Sequence, residues 1–172
     1  MMIRSAEAKD AERLLEIYAY YVRNTAVTFE CTVPLPEEFR ERICSTMHAY
    51  PYLIAEEEGT ILGYAYAGPF VGREAYSRSC EMTVYVDNAH RGNGLGRMLY
   101  EMMEERLKEQ GIVNLYACIA DPIREDETLT RASEDFHRRM GYTKVGEFHQ
   151  CGYKFGRWYN MIWMEKIIGE HC

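Results

Sequence analysis

No C-x-x-C pair, no lysine- or arginine-rich block and no long apolar run occurs in these 172 residues. Each absence removes a class of protein. The six cysteines (31, 44, 80, 118, 151 and 172) stand singly, so reduced, mostly buried cytosolic thiols are expected rather than a zinc site or disulfide scaffold. Twenty basic side chains face 27 acidic ones, a net charge of −7. Phosphate neutralisation drives nucleic-acid affinity, so no nucleic-acid partner is expected. The run Ile61 to Gly72 is uncharged but holds three glycines and a proline. It falls far short of the ~20 apolar residues of a spanning helix, so no membrane partner is expected either. The opening MMIRSAEAKD has no apolar core of the kind a secretory signal needs, which points to a cytoplasmic location. No repeat, low-complexity stretch or Pro/Gly linker breaks the chain, and one domain over 1–172 is expected.

What is present is a globular balance, 47% hydrophobic and 27% charged. Ile3 to Ser5 reads as a short strand. Asp10 is expected to cap a helix whose apolar residues Leu14, Ile17, Tyr18, Tyr21 and Val22 recur at helical spacing. Pro36 opens a second helix with Phe39, Ile43 and Met47 on one face. Tyr52 to Glu56, a turn at Gly59 and Ile61 to Ala67 read as a hairpin, and Glu81 to Val86 as a further strand. A helix follows from Leu95 to Gln110, with Leu95, Leu99, Met102 and Met103 inward and Gly111 as its stop. Ile112–Ile119 is expected as a strand, Ser133–Met140 as a helix, and Thr143–Glu147 and Asn160–Glu165 as late strands. Helices before, between and after strands indicate an α/β (α+β) layered fold.

The most informative stretch is EMTVYVDNAHRGNGLGRMLY, a strand that runs through a glycine turn directly into a helix. Such a turn exposes successive N–H groups at the positive end of a helix and suits a phosphate or pyrophosphate. No Gly-Lys-Ser/Thr follows, which excludes the P-loop, and the third glycine comes one residue too early for the dinucleotide fingerprint.

Arg91, Gly94 and Gly96 in this turn resemble the Arg/Gln-x-x-Gly-x-Gly/Ala signature of the GNAT N-acetyltransferases. PYLIAEEEGTILGYAYAGPF, REAY, EMTVYV and GYKFGRWYNM look like the phosphinothricin and methionine sulfoximine acetyltransferase branch, over nearly the whole chain. The resemblance implies a mixed, mostly antiparallel twisted sheet of six to seven strands flanked by about four helices. It implies acetyl-coenzyme A as co-substrate, with no metal, and a homodimer. It implies that the turn Arg91, Gly92, Asn93, Gly94, Leu95, Gly96 and Arg97 holds the pyrophosphate, and that main-chain groups of the strand Val84, Tyr85 and Val86 meet the pantetheine arm. Ser133 is expected as a further coenzyme contact, whereas Thr130 stands where the family commonly has asparagine.

Acyl transfer to an amine needs somewhere to send the amine's proton. Period two puts Glu81, Thr83 and Tyr85 on one strand face, and a desolvated Glu81 would serve as general base. In the resembled branch the glutamate of E-x-T-V-Y-V has that role. His137, one turn before Gly141, is the second catalytic candidate, as acid or base. For the substrate, Arg73 offers a fork to a carboxylate, with Tyr76 beside it, and Phe29 and Glu30 resemble the branch's substrate-side loop. His149 and Cys151 alternate onto one strand face but have no partners near in sequence for a metal site. No cysteine or serine sits in a nucleophile motif, which favours direct attack in a ternary complex. A non-catalytic coenzyme A sensor, or acetylation of a peptide N-terminus or an aminoglycoside, are the alternatives.

Overall fold

The computed structural model describes residues 1–172. One seven-stranded sheet is built from β1 (Met2–Ser5), β2 (Tyr52–Glu57), β3 (Thr60–Pro69), β4 (Ser79–Val86), β5 (Asn114–Asp121), β6 (Thr143–Lys154) and β7 (Arg157–Ile167), in the order β1-β2-β3-β4-β5-β7-β6. Every neighbouring pair is antiparallel except β4 with β5. Four α-helices cover it: α1 (Ala11–Asn24), α2 (Pro36–Met47), α3 (Leu95–Glu109) and α4 (Ala132–Arg139).

The faces follow from the alternation of the strands. Ala65, Ala67, Cys80, Met82, Leu115, Ala117, Ile162 and Met164 point to one side, where Leu99, Tyr100, Met103 and Leu107 of α3 pack on them. Tyr52, Ile54 and Tyr64 point to the other, under Leu14, Ile17, Tyr18 and Tyr21 of α1 and Phe39 and Ile43 of α2. The second pair of helices covers only β2 to β4, so Tyr116, Cys118 and Trp163 on β5 and β7 are not fully covered on that side. Gly111 and Gly141 take φ of +79° and +89°, the left-handed conformation that ends α3 and α4.

Four local expectations change. Asp10 does precede α1, but its carboxylate does not cap it. Arg4 grips both oxygens at 2.8 and 2.9 Å and the Glu7 N–H donates at 2.8 Å, so Asp10 ties β1 to the helix start instead. The last two strands run far beyond Thr143–Glu147 and Asn160–Glu165, because their far ends form an exposed hairpin whose side chains lack a buried alternation. Met102 is only half-buried. Of the six free cysteines only Cys80 is buried, since the remaining strand and loop cysteines lie on uncovered faces.

Candidate active site

The parallel strands β4 and β5 pair through three residues, Ser79 with Asn114, Cys80 with Leu115 and Glu81 with Tyr116, and then part. From Met82 to Val86, β4 is paired with β3 alone, and its other edge faces a widening gap. A cleft of about 640 Å³ opens there, walled by Tyr21 and Thr25, Val84 to Val86, the glycine turn, and Thr128 to Thr130, Ala132 and Ser133 with Phe136 and Arg139.

The turn is built to receive an anion. Gly92 and Gly94 take φ of +82° and +78°, and a Cβ added to either would meet no protein atom within 4 Å. None of the N–H groups from Arg91 to Arg97 donates to the protein; the first that does is Met98, to the Gly94 carbonyl at 3.1 Å. These donors collect at the N-terminus of the fifteen-residue α3, where its dipole adds positive potential. Asp87 fixes the entry, accepting the Ala89 N–H at 2.8 Å and pairing with Arg13. Gly96 has a different reason: a Cβ there would stand 3.3 Å from the Phe136 ring, so glycine lets α3 and α4 approach. Arg91 lies over the Tyr21 ring, 5.9 Å from its centre, and Arg97 pairs with Glu101 at 2.7 Å. Asn93 belongs to the turn without lining the cleft. Of the strand carbonyls, Val86 already accepts the Tyr21 hydroxyl, which leaves it less free than Val84 for a ligand.

Glu81 sits at the last β4–β5 pair, the apex of the wedge. It is half-buried and makes no ion pair, and desolvation alone raises its carboxyl above the ordinary range. Opposite it across β3 is Gly68, which has no side chain to fill the space. The loop after β3 carries Arg73 and Tyr76, both exposed. Tyr76 meets Phe70 edge-on at 5.9 Å, and Phe70 stacks at 4.0 Å on Tyr116, the residue beside Glu81.

The glycine turn with its free N–H groups, the splayed strands and the apical carboxylate are thus contiguous, and the acetyltransferase (GNAT) domain family matches residues 3–163. The chain belongs to the GNAT acetyltransferase family. It is 34% identical to a phosphinothricin N-acetyltransferase of Streptomyces coelicolor, over 98% of this chain and 96% of that one. It is 31% identical to an L-methionine sulfoximine/L-methionine sulfone acetyltransferase of Salmonella typhimurium, over 100% and 97% of the two chains. A solved phosphinothricin acetyltransferase of Sinorhizobium meliloti in complex with acetyl-coenzyme A superposes with a TM-score of 0.89 at 31% identity, covering 98% of this chain and 88% of that chain.

In this acetyltransferase His137 does not reach the cleft. It follows Phe136 by one residue, hence lies ~100° around α4 from the cleft face, and turns into the core against Tyr100 and Tyr142. Its Nδ1–H donates to the Ser133 carbonyl at 2.8 Å, so Nε2 accepts the Tyr100 hydroxyl at 3.0 Å. Both nitrogens are occupied, and burial pushes the imidazole down to about 4. A group so placed cannot exchange protons with a thioester. Its consequence is for stability. The unfolded histidine protonates as pH falls through 6.5 while the folded one stays neutral, so stability is lost between pH 6.5 and about 4 and not below. Urea unfolding across that window should show a loss of ~3 kcal/mol that His137→Gln flattens; equal pH slopes for both proteins would refute the assignment.

Ser133 lines the cleft, and Thr130 does too. Glu30 does not stand free: Arg42 holds its two oxygens at 2.8 and 3.0 Å, Tyr18 donates to it as well, and these partners keep its carboxyl below the ordinary range. Glu30 thereby fixes the loop between α1 and α2. Phe29 packs over Gly152 of β6, where a Cβ would run into its ring. The β6 irregularity between Phe148 and Gly152, with Gln150 at φ +48°, breaks the alternation that would have aligned His149 with Cys151, and both are exposed. Tyr21 and Arg139 also line the cleft, beyond the residues expected from the sequence. Arg139 had a signal, since Ala132, Phe136 and Arg139 recur at helical spacing. Tyr21 had none, being indistinguishable from a core position of α1.

Proposed function

We propose that this N-acetyltransferase takes acetyl-coenzyme A as donor and acetylates the α-amine of a small amino-acid-like acceptor, of the phosphinothricin or methionine sulfoximine/sulfone type, by direct attack in a ternary complex. The observation that carries the reading is an unpaired carboxylate, raised by desolvation, at the apex of a wedge whose open end is ringed by free N–H groups. The donor supplies a thioester carbonyl. In this reading the turn from Arg91 to Arg97 binds the diphosphate, the free edge of Val84 to Val86 aligns the arm, and Ser133 adds a contact from α4. Glu81 accepts the ammonium proton, directly or through a water, and so delivers a neutral amine; its nitrogen bonds to the thioester carbonyl carbon, the C–S bond breaks, and the coenzyme A thiolate leaves and takes the second proton released by the nitrogen.

Arg73 is the proposed carboxylate anchor. It lies on the loop that leads through Tyr76 and Phe70 to Glu81's neighbour, and it has no acidic partner to compete with a substrate. Arg73→Ala should raise the acceptor KM roughly 10- to 100-fold, the loss of a charge-assisted hydrogen-bonded pair, and leave the coenzyme KM unmoved. An unchanged acceptor KM would remove Arg73 from the site.

The reading extends to one catalytic domain over the whole chain, a cytoplasmic setting and a homodimer. Six unpaired cysteines support the setting, and exposed Phe148, Tyr153, Phe155 and Trp158 on the β6–β7 hairpin support the dimer. The deciding test is thiol release from acetyl-coenzyme A with free amino acids, peptides and an aminoglycoside as acceptors. Turnover of free amino acids is expected. Release with peptides or the aminoglycoside alone would overturn the acceptor class, and no release with any amine would favour a sensor.

A further inference from the structure

The cleft carries more positive charge than its glycine turn supplies. Three arginines line it, Arg91, Arg97 and Arg139. Arg97 is taken by Glu101 at 2.7 Å. Arg91 lies over the Tyr21 ring and Arg139 projects from α4, and neither pairs with an acidic side chain. Asp135 stands one helical turn before Arg139, at the spacing of a helix ion pair, yet the two do not meet; the pair that does form on α4 is Arg138 with Glu134, at 2.6 Å. The one acid on the cleft wall, Glu127, is held by Arg157 at 2.9 Å. Two guanidinium groups are therefore left over, on opposite walls of the same cleft.

Their places differ. Arg91 opens the turn itself, on the α1 side. Arg139 is reached along α4, where Ala132 and Ser133, Phe136, and then Arg139 and Met140 recur at helical spacing and turn one face to the cleft. Phe136 marks the contact with the turn, since a Cβ on Gly96 would stand 3.3 Å from its ring. Arg139 lies three residues past that contact, ~4.5 Å further along the helix axis. From the turn the cleft thus extends two ways, along Val84 to Val86 of β4 and between the start of α3 and the last turn of α4. The first way leads to Glu81, and Arg139 stands on the second.

Coenzyme A has two ends beyond its diphosphate. One is the arm that carries the thioester, and the other is an adenosine whose ribose bears a 3′-phosphate. Resting on the donor site proposed above, we infer that Arg139 receives this 3′-phosphate, the third phosphate of the coenzyme, which the turn from Arg91 to Arg97 cannot hold together with the diphosphate. The chemistry suits the residue. A phosphate monoester carries a second negative charge near neutral pH, and its oxygens match the two-pronged guanidinium. With no protein carboxylate to displace, the guanidinium is available as soon as the ligand arrives.

The test is titration calorimetry with coenzyme A and with 3′-dephospho-coenzyme A, on the wild type, Arg139→Gln and Arg91→Gln. The wild type is expected to bind coenzyme A about tenfold more tightly than the dephospho form, the worth of one charge-assisted contact at an exposed site. Arg139→Gln should bind coenzyme A about tenfold more weakly and the dephospho form with the wild-type Kd, so that the two values converge. Wild-type affinity for the dephospho form also reports that the variant is folded. Arg91→Gln, beside the diphosphate, should weaken both ligands by one factor and keep their ratio. Equal wild-type affinity for the two ligands, or an undiminished ratio in Arg139→Gln, would overturn the third-phosphate site while the donor site stands, because both ligands still bind. Binding of neither ligand by the wild type would instead overturn the donor site, and the role of Arg139 with it.

Discussion

Glu81→Gln lowers kcat by ~10²- to 10⁴-fold, the usual worth of a positioned general base, while calorimetry with acetyl-coenzyme A gives the wild-type Kd. The separation is expected because Glu81 lies at the closed end of the wedge and the turn proposed to hold the diphosphate at its open end, with Met82 to Val86 between them. Glutamine keeps the volume and loses only the proton acceptor. The pH profile supplies an independent readout. Desolvation holds the Glu81 carboxyl above the ordinary range, so the wild-type rate should climb as pH rises through that elevated value and the base ionises. The variant loses this limb and keeps only the one set by the acceptor's own amine. A kcat within about twofold of wild type would take Glu81 out of the reaction.

The elements that the sequence made legible are those decided by neighbours in the chain. Helical spacing placed α1, Pro36 placed the start of α2, and the glycine turn placed the cradle, because each signal lies within a few residues. What was illegible depends on partners far away. The splay of β4 from β5 arises only when Asn114 to Tyr116 meet Ser79 to Glu81, and no local pattern encodes where that pairing stops. His137 was placed correctly on a helix, but its burial is decided by Tyr100 and Tyr142 on two other elements. Glu30 reads from the sequence as part of a substrate-side loop, and only α2 reveals Arg42 against it. Asp10 looked like a cap until β1 brought Arg4.

The segment between α1 and α2 is tied to three other parts of the fold. Its start is fixed to the cleft wall, with the Ala26 N–H donating to the Thr128 carbonyl at 3.0 Å. Its middle is held by buried Lys154 of β6, whose Nζ donates to the Thr28 carbonyl at 2.9 Å. Glu30 then links it to Arg42 of α2. One loop thus bounds the cleft while it is anchored on β6 and α2.

Gly94→Val should raise the Kd for acetyl-coenzyme A about a hundredfold. Two effects add. At φ +78° a β-branched residue pays ~1–2 kcal/mol of backbone strain and pulls the turn toward another conformation. The valine also projects into the open space that the N–H groups face, which costs the hydrogen bonds they would make to the diphosphate, ~1–3 kcal/mol. Together these reach the ~2.7 kcal/mol that a hundredfold requires. Gly96→Val is the informative comparison, because its Cβ meets the Phe136 ring instead of open space. That variant should lower the thermal midpoint, since α3 and α4 are forced apart, whereas Gly94→Val should affect binding far more than melting. Titration calorimetry and thermal unfolding of the two proteins separate a ligand cradle from a packing contact. Normal coenzyme binding by Gly94→Val would mean that the N–H groups between Arg91 and Arg97 face something other than a diphosphate, and the donor site would have to be sought elsewhere along the gap between β4 and β5.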